Sequence, residues 1–220
     1  MQPRQASEPQ KEPRLLPERT EGSELMADYT ALTEAGMALV ELLRENLTPE
    51  PLSNRELINL CSPHESENNQ LTLYLYHIEE EVQNLSSGYY SVDSTTQRFR
   101  PAQYTLHFLM TPHSKAPAQV KEADQYRIMG AALQTLRDNP IIPQRHLTGS
   151  LAAEKAQVHV SVDKMPMEQL LKIWNNTSKD YKLSMVVSVT GVTIESKRER
   201  RVSRVTEVII GTDEKKGEPS

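Results

Sequence analysis

Four segments with the residue pattern of β-strands, separated by segments with the pattern of helices, constrain this chain more than any other feature. The segment "LTLYLYHI" at residues 71–78 is apolar on both faces, as in a strand that is covered on both sides. The segments "QYTLHFLM", "QVHVSV" and "KLSMVVSVT", at residues 103–110, 157–162 and 182–190, mainly alternate apolar and polar residues. Such alternation is typical of strands with one buried face. The chain therefore needs helices that cover at least one face of a sheet.

Apolar residues at helical spacing supply those helices. The stripes run over residues 32–47 and 123–136, and a shorter one follows Pro166 at residues 167–175. The order helix, strand, strand, helix, strand, short helix, strand predicts an α+β fold. We expect a mixed β-sheet with helices packed mainly on one face.

Two glycines and one tryptophan refine this prediction. Gly130 lies in the second helical stripe and predicts a close approach of that helix to the sheet. At Gly191 the apolar alternation slips by one residue, which predicts a bulge in the last strand. Trp174, at helical spacing from Leu170 and Leu171, is expected to anchor the core rather than to form a ligand platform.

Both ends of the chain are predicted to lie outside the folded domain. Residues 1–25 contain four prolines, mixed charge and few apolar residues, as in a disordered extension. We therefore expect an N-terminal extension at residues 1–25, one folded domain at residues 26–196 and a basic C-terminal arm at residues 197–220. A single cysteine and a start without a signal-peptide pattern predict cytoplasmic synthesis. No apolar run has the length of a membrane span, so we expect no direct membrane insertion.

The segment "KRERRVSR" at residues 197–204 has five basic residues and one acidic residue in a chain of net charge −5. It is either a solvated tail or a contact for nucleic acid or for an acidic protein surface. No aromatic residues alternate with the basic ones, which favours the protein surface. The candidate contact residues are Lys197, Arg198, Arg200, Arg201 and Arg204, followed by Val205, Val208, Ile209 and Ile210 in the apolar segment "VTEVIIG".

Signals for catalysis are weak. Cys61 and His64 in "LCSPHE" form either a nucleophile with its base or half of a metal site, but no second cysteine or orienting group accompanies them. His107 and His159 lie on the polar faces of their predicted strands and would meet only if those strands were neighbours. The sequence contains no metalloprotease spacing, glycine-rich phosphate loop or nucleophile elbow. We expect no enzyme activity and no catalytic, metal or cofactor site.

The loop within "LRDNPIIPQRHLTGSL", residues 136–151, places Ile141 and Ile142 between two prolines. One interpretation is a stiff contact surface, formed by these isoleucines together with Arg145 and suited to subunit packing. The other is a rigid connection whose isoleucines fold back onto the core. The sequence supports both equally.

Six parts of the chain stand out in this order: "MADYTALTEAGMALVELLRENLTPEP", "LCSPHE", "LTLYLYHIEE", "LRDNPIIP" with "LTGSL", "LLKIWNN" with "YKLSMVVSV", and "VTIES". Together they resemble the tail-terminator or cap proteins of phage-tail-like contractile injection systems, of the antifeeding-prophage and virulence-cassette type. The resemblance covers residues 26–196. Residues 1–25 are an addition to the family pattern, and "LSSGYYSVDSTTQRF" at residues 85–99 is predicted to be a lineage-specific loop.

The resemblance implies a non-enzymatic structural cap with a tail-terminator-like fold. Such a cap is expected to form a ring, a hexamer, that ends the inner tube and anchors the last sheath ring in the extended state. Its partners would be further copies, the inner tube protein and the sheath protein, without nucleic acid, in a particle that is either released or anchored. The rival functions are a small Cys/His-dependent hydrolase and a nucleic-acid-binding accessory protein.

The apolar segment after the basic run has two interpretations. In the first, residues 205–210 add a strand to a neighbouring sheath arm or cap subunit, toward which the basic run steers them. In the second, they pair with residues 192–194 as a hairpin in their own sheet.

Overall fold

A computed structural model describes residues 29–63, 68–81, 88–175 and 180–202. The helices are α1 (Ala31–Leu47), α2 (Ala118–Asp138), α3 (Gly149–Ala153) and α4 (Met167–Asn175). The strands are β1 (Ile58–Leu60), β2 (Leu71–Glu80), β3 (Tyr89–Ser91), β4 (Thr96–Phe99), β5 (Ala102–Pro112), β6 (His159–Asp163), β7 (Met185–Ile194) and β8 (Glu199–Arg201). Within these ranges, no helix is both long enough and apolar enough to cross a membrane.

The main sheet has five strands in the order β1-β2-β5-β7-β6. Strand β1 runs parallel to β2, and the other neighbours are antiparallel. Helices α1, α2 and α3 cover one face of this sheet and enclose the larger core with it. The mixed sheet with helices mainly on one face confirms the predicted fold class.

Helix α1 makes the close approach to the sheet that the sequence led us to expect of α2. A Cβ atom on Gly36 of α1 would lie 3.1 Å from Leu60 Cδ1 and 3.5 Å from Phe108 Cζ. Gly130 of α2 is exposed, with no atom within 4 Å of its Cβ position. The prediction for Gly130 is wrong because α2 turns Ile128 and Met129 toward the core, which places Gly130 on the outer side.

Helix α4 covers part of the opposite face of the sheet. Trp174 is 1% exposed and packs in a second cluster with Leu170, Leu109 and Val186, which confirms Trp174 as a core anchor. Because Leu109 is buried, the second face of β5 is only partly exposed to solvent. Strand β2 was predicted to be covered on both sides, but this holds only for its first residues, since α4 lies over β5 and β7.

The bulge predicted at Gly191 is present. Tyr104 of β5 pairs with Val192, whereas Leu106 pairs with Val189, so β7 holds one extra residue at this point. Gly191 has a φ of 82°, and a Cβ atom there would overlap with the carbonyl oxygen of Gln157. Glycine is needed at this position for both reasons.

A second, three-stranded sheet has the order β3-β4-β8. The segment predicted to be a loop at residues 85–99 instead contains the hairpin of β3 and β4. Asp93 stabilises its turn, because its Oδ1 accepts hydrogen bonds from the amides of Thr95 at 2.7 Å and Thr96 at 2.8 Å. Strand β8 pairs antiparallel with β4. The basic segment is thus part of the fold up to Val202 rather than a free arm.

A buried histidine lies at one end of the main sheet. Thr72 Oγ1 donates to the carbonyl oxygen of Thr111 at 3.3 Å and contacts His113 Nε2 at 3.0 Å. The hydroxyl therefore accepts a hydrogen bond from a protonated Nε2. Lys182 Nζ lies 3.4 Å from Nδ1, where it donates to the lone pair of that nitrogen. These contacts fit a neutral imidazole.

Acid is expected to destabilise the protein through His113. Burial, followed by the charges of Lys182 and Lys121, lowers the pKa of His113 from 6.5 to about 4. Between these values the unfolded chain binds a proton that the native state does not, so stability falls as the pH drops below 6.5. The full shift corresponds to about 3 kcal/mol, which solvent screening reduces to about 2 kcal/mol.

This effect can be measured by urea unfolding of wild type and His113→Gln between pH 7 and pH 4. We expect the wild type to lose more stability than the variant over this range, because carboxylate titration is common to both. Parallel curves for the two proteins would contradict the assignment.

Candidate functional site

The loop between α2 and α3 separates its two isoleucines. Ile142 is 1% exposed, and its amide donates to the carbonyl oxygen of Val158 at 2.9 Å. Ile141 is 46% exposed and forms a β-bridge with His159. The segment runs extended beside β6, so its side chains alternate between core and solvent. Ile142 is therefore a core residue and is corrected as a contact candidate, whereas Ile141 remains available to a partner.

Arg145, the third candidate in this loop, is exposed and is held against α1. Its Nη2 lies 2.9 Å from Glu45 Oε2, and His146 Nε2 lies 2.6 Å from the same oxygen. The hydrogen bond from Arg145 is the largest cause of a lowered pKa for the Glu45 carboxyl group. The loop thus exposes Ile141 and Arg145. The β-bridge to His159 holds the backbone of Ile141, and Glu45 holds the side chain of Arg145.

The arginines of the basic segment lie over aromatic rings of the β3–β4 hairpin. Arg200 Cζ is 4.1 Å from the centroid of the Tyr89 ring, and Arg198 Cζ is 4.9 Å from that of Phe99. Arg200 also donates from Nε and Nη2 to Gln97 Oε1, at 3.0 and 2.8 Å. These cation–π contacts fix both guanidinium groups. No local sequence pattern reveals them, because the aromatic residues come from a distant part of the chain.

The other side chains of the basic segment differ in their surroundings. Glu199 Oε1 forms an ion pair with Arg98 Nη2 at 2.7 Å, and Lys197 lies 5.9 Å from the ring of Tyr29. Arg201 is exposed. The remaining candidates lie outside the described residues, and their contact roles stay predictions: Arg204, Val205, Val208, Ile209 and Ile210.

The residues weighed for catalysis are not arranged as a catalytic relay where the structure describes them. Cys61 Sγ accepts a hydrogen bond from Asn69 Nδ2 at 3.2 Å, while His64 lies outside the described residues. Strand β7 separates β5 from β6, so His107 and His159 are not on neighbouring strands. In the described ranges, no group of His, Cys, Asp and Glu side chains suits a metal ion.

His107 instead stacks on His77, with ring centroids 5.4 Å apart, at an open cavity of about 480 Å³. Its Nδ1 lies 2.8 Å from Ser188 Oγ and 3.3 Å from Asp163 Oδ2, and Ser188 Oγ donates to the same Asp163 oxygen. In a catalytic triad, serine and carboxylate contact opposite nitrogens of the histidine. Here Ser188 and Asp163 contact the same nitrogen, and Ser188 donates to Asp163 rather than to the histidine, so these three residues do not form such a triad.

Two solved structures share this fold. The first is the sheath/tube terminator of an extracellular contractile injection system, PVC, in the extended state, with a TM-score of 0.56 and 16% identity over 89% of this chain and 66% of that chain. The second is the tube-terminating cap of the anti-feeding prophage, with a TM-score of 0.50 and 17% identity over 80% of this chain and 59% of that chain. This chain thus spans less than two thirds of the length of either protein.

No curated protein sequence matches the chain. The model of the Pvc16 N-terminal domain matches residues 34–207, which confirms the resemblance drawn from the sequence segments. Because this match extends over more than half of the chain, the protein belongs to the Pvc16 N-terminal domain family.

Proposed function

We propose that this protein is a structural cap that terminates the tube and sheath of a contractile injection particle, without enzyme activity. The observation that carries the proposal is its fold, which it shares with two terminators over most of its length. In this function, copies of the chain close into a ring, for which six copies are expected. The ring binds the last layer of the inner tube and holds the last sheath ring in the extended state. The cap is made in the cytoplasm and becomes part of the particle.

A cap stops polymerisation when one side of it matches the growing tube and the other side offers no site for a further layer. The exposed Ile141 and the fixed Arg145 are candidate contacts for a neighbouring copy, the tube or the sheath. Arg198 and Arg200, which lie over aromatic rings, are a second candidate surface, because their positions are set before binding.

The proposal is tested with the full chain added to its inner tube protein during polymerisation. We expect tubes of limited length that carry density at one end, together with closed rings of the purified chain in electron micrographs. Tubes of unchanged length distribution and uncapped ends would overturn the proposal. Binding to a DNA duplex that weakens steeply with salt would favour the nucleic-acid-binding rival.

The loop isoleucines offer a matched pair of variants. Ile142→Ser removes a core side chain and is expected to reduce the free energy of unfolding by about 2–4 kcal/mol. Ile141→Ser is expected to change stability by less than about 0.5 kcal/mol but to weaken ring formation or capping. Urea unfolding and electron microscopy measure the two effects. Rings and capped tubes of wild-type quality with Ile141→Ser would show that the loop is only a connector.

A further inference from the structure

We propose that neighbouring copies of this chain join by strand pairing, with the open edge of β2 in one copy against the open edge of β8 in the next. The inference rests on the proposed ring and identifies the contact that closes it. It uses two surfaces that lie at different places on the same chain.

The first surface is the outer edge of β2. Strand β1 covers this edge only from Leu71 to Leu73, where the amide of Cys61 also donates to the carbonyl oxygen of Leu73 at 3.2 Å. Among the described residues, no strand pairs with the remainder of β2 on that side. An edge of this kind leaves backbone N–H and C=O groups available for another strand.

Apolar side chains accompany this open edge. Tyr74 is 38% exposed and Ile78 is 42% exposed, although both lie in a strand of the main sheet. Their exposure offers apolar area that an added strand would cover.

The second surface is the outer edge of β8. On its inner side, β8 pairs with β4, and this pairing continues through a hydrogen bond from the amide of Phe99 to the carbonyl oxygen of Arg198 at 2.9 Å. On its outer side, no strand lies beside it in the part of the chain that the structure describes. All three residues of β8 are exposed.

The charges of the two edges favour pairing between them and oppose pairing of either edge with itself. Strand β2 ends in Glu79 and Glu80, followed by Glu81, whereas β8 contains Arg200 and Arg201, and its one acidic residue, Glu199, is paired with Arg98. Opposite charges on facing strands stabilise a pair, and like charges destabilise it. Two copies therefore avoid a symmetric contact through the same edge.

A contact between two different patches is heterologous, and a heterologous contact generates a ring when the rotation between copies closes. The two open edges thus provide the type of interface that a terminating ring needs. A symmetric dimer would pair one edge with the same edge of a second copy, and such a contact would not build a ring.

Glu80 and Arg201 are the residues for the test. Both are exposed, and across the described residues neither takes part in a side-chain hydrogen bond or an ion pair. The variants are Glu80→Arg and Arg201→Glu in the full chain, measured by mass photometry and electron microscopy. Glu122→Arg is the control, because it makes the same charge change on an exposed residue of α2.

Each single variant is expected to assemble about tenfold more weakly than wild type, with an unchanged melting temperature, while the control assembles normally. An equimolar mixture of the two single variants is expected to form rings again. In that mixture, the arginine introduced into β2 of one variant faces the glutamate introduced into β8 of the other, and the remaining contacts pair the wild-type edges. A ring with an even number of copies accommodates this alternation.

Wild-type rings that tolerate both single variants would overturn the strand pairing and leave the cap proposal standing. Single variants that fold but do not recover in the mixture would also overturn it. A wild-type chain that stays monomeric would overturn both the ring and the pairing. Whether the chain limits the length of the tubes is measured separately, and that result tests the cap function itself.

Discussion

Replacement of Gly191 by alanine is expected to lower the free energy of unfolding by about 3 kcal/mol or more. A residue with a Cβ atom pays about 1–2 kcal/mol for a left-handed backbone conformation, and Gly191 has a φ of 82°. The added Cβ would also overlap with the backbone oxygen of Gln157. That oxygen belongs to the main chain just before β6, so it cannot move away without displacing an edge strand of the main sheet.

Gly130→Ala is the matched control for this experiment. Gly130 lies within α2 with open space around its Cβ position, so alanine there is expected to raise stability by about 0.5–1 kcal/mol. Urea unfolding, followed by circular dichroism, measures both variants. Opposite signs at the two glycines are expected, and a loss below about 1 kcal/mol for Gly191→Ala would show that the bulge relaxes at little cost.

Replacement of Trp174 by alanine is expected to lower the free energy of unfolding by about 3–5 kcal/mol. Among the described residues, Trp174 is the largest side chain in the cluster between α4 and the sheet, and Leu109, Leu170 and Val186 are the residues buried with it. Because this cluster is small, the loss of the indole ring leaves α4 with few apolar contacts. The larger core on the other face does not include Trp174 and is expected to persist.

Leu171→Ala is the control on the same helix, because Leu171 points away from the cluster and is partly exposed. It is expected to cost less than about 1 kcal/mol. Hydrogen exchange would locate the effect of Trp174→Ala, with the loss of protection greatest in α4. A uniform loss of protection over the whole main sheet would instead show that the two clusters unfold as one unit.

Where the apolar pattern is long enough to show its period, it predicted the element correctly. This holds for α1, β5, β7 and α4, and the slip at Gly191 predicted the bulge. Strand β1 could not be predicted, because its three residues are too few to show an alternation. The strands of the small sheet could not be predicted either, because they are short and no residue in them is buried. They lack the apolar face on which such predictions depend.

The candidate contact residues were less predictable than the elements, because their surroundings come from distant segments. The sequence placed Ile141 and Ile142 in one stiff loop but left open whether they face partner or core. The bridge to His159 decides this, since it sets the alternation of the segment. The sequence predicts Arg200 to lie in a free arm, whereas its partner Gln97 lies 103 residues earlier in the chain.

By itself, the sequence determined the helices and long strands, the position of the bulge and the family of the chain. These depend on local periodicity, on single residues with special backbone freedom and on the order of recognisable segments. Only the tertiary structure decided which isoleucine is exposed, which aromatic rings support the arginines, and which edges of β2 and β8 have no neighbouring strand among the described residues. Those features depend on pairing between segments far apart in the chain, and a strand edge is open only relative to neighbours that its own residues do not specify.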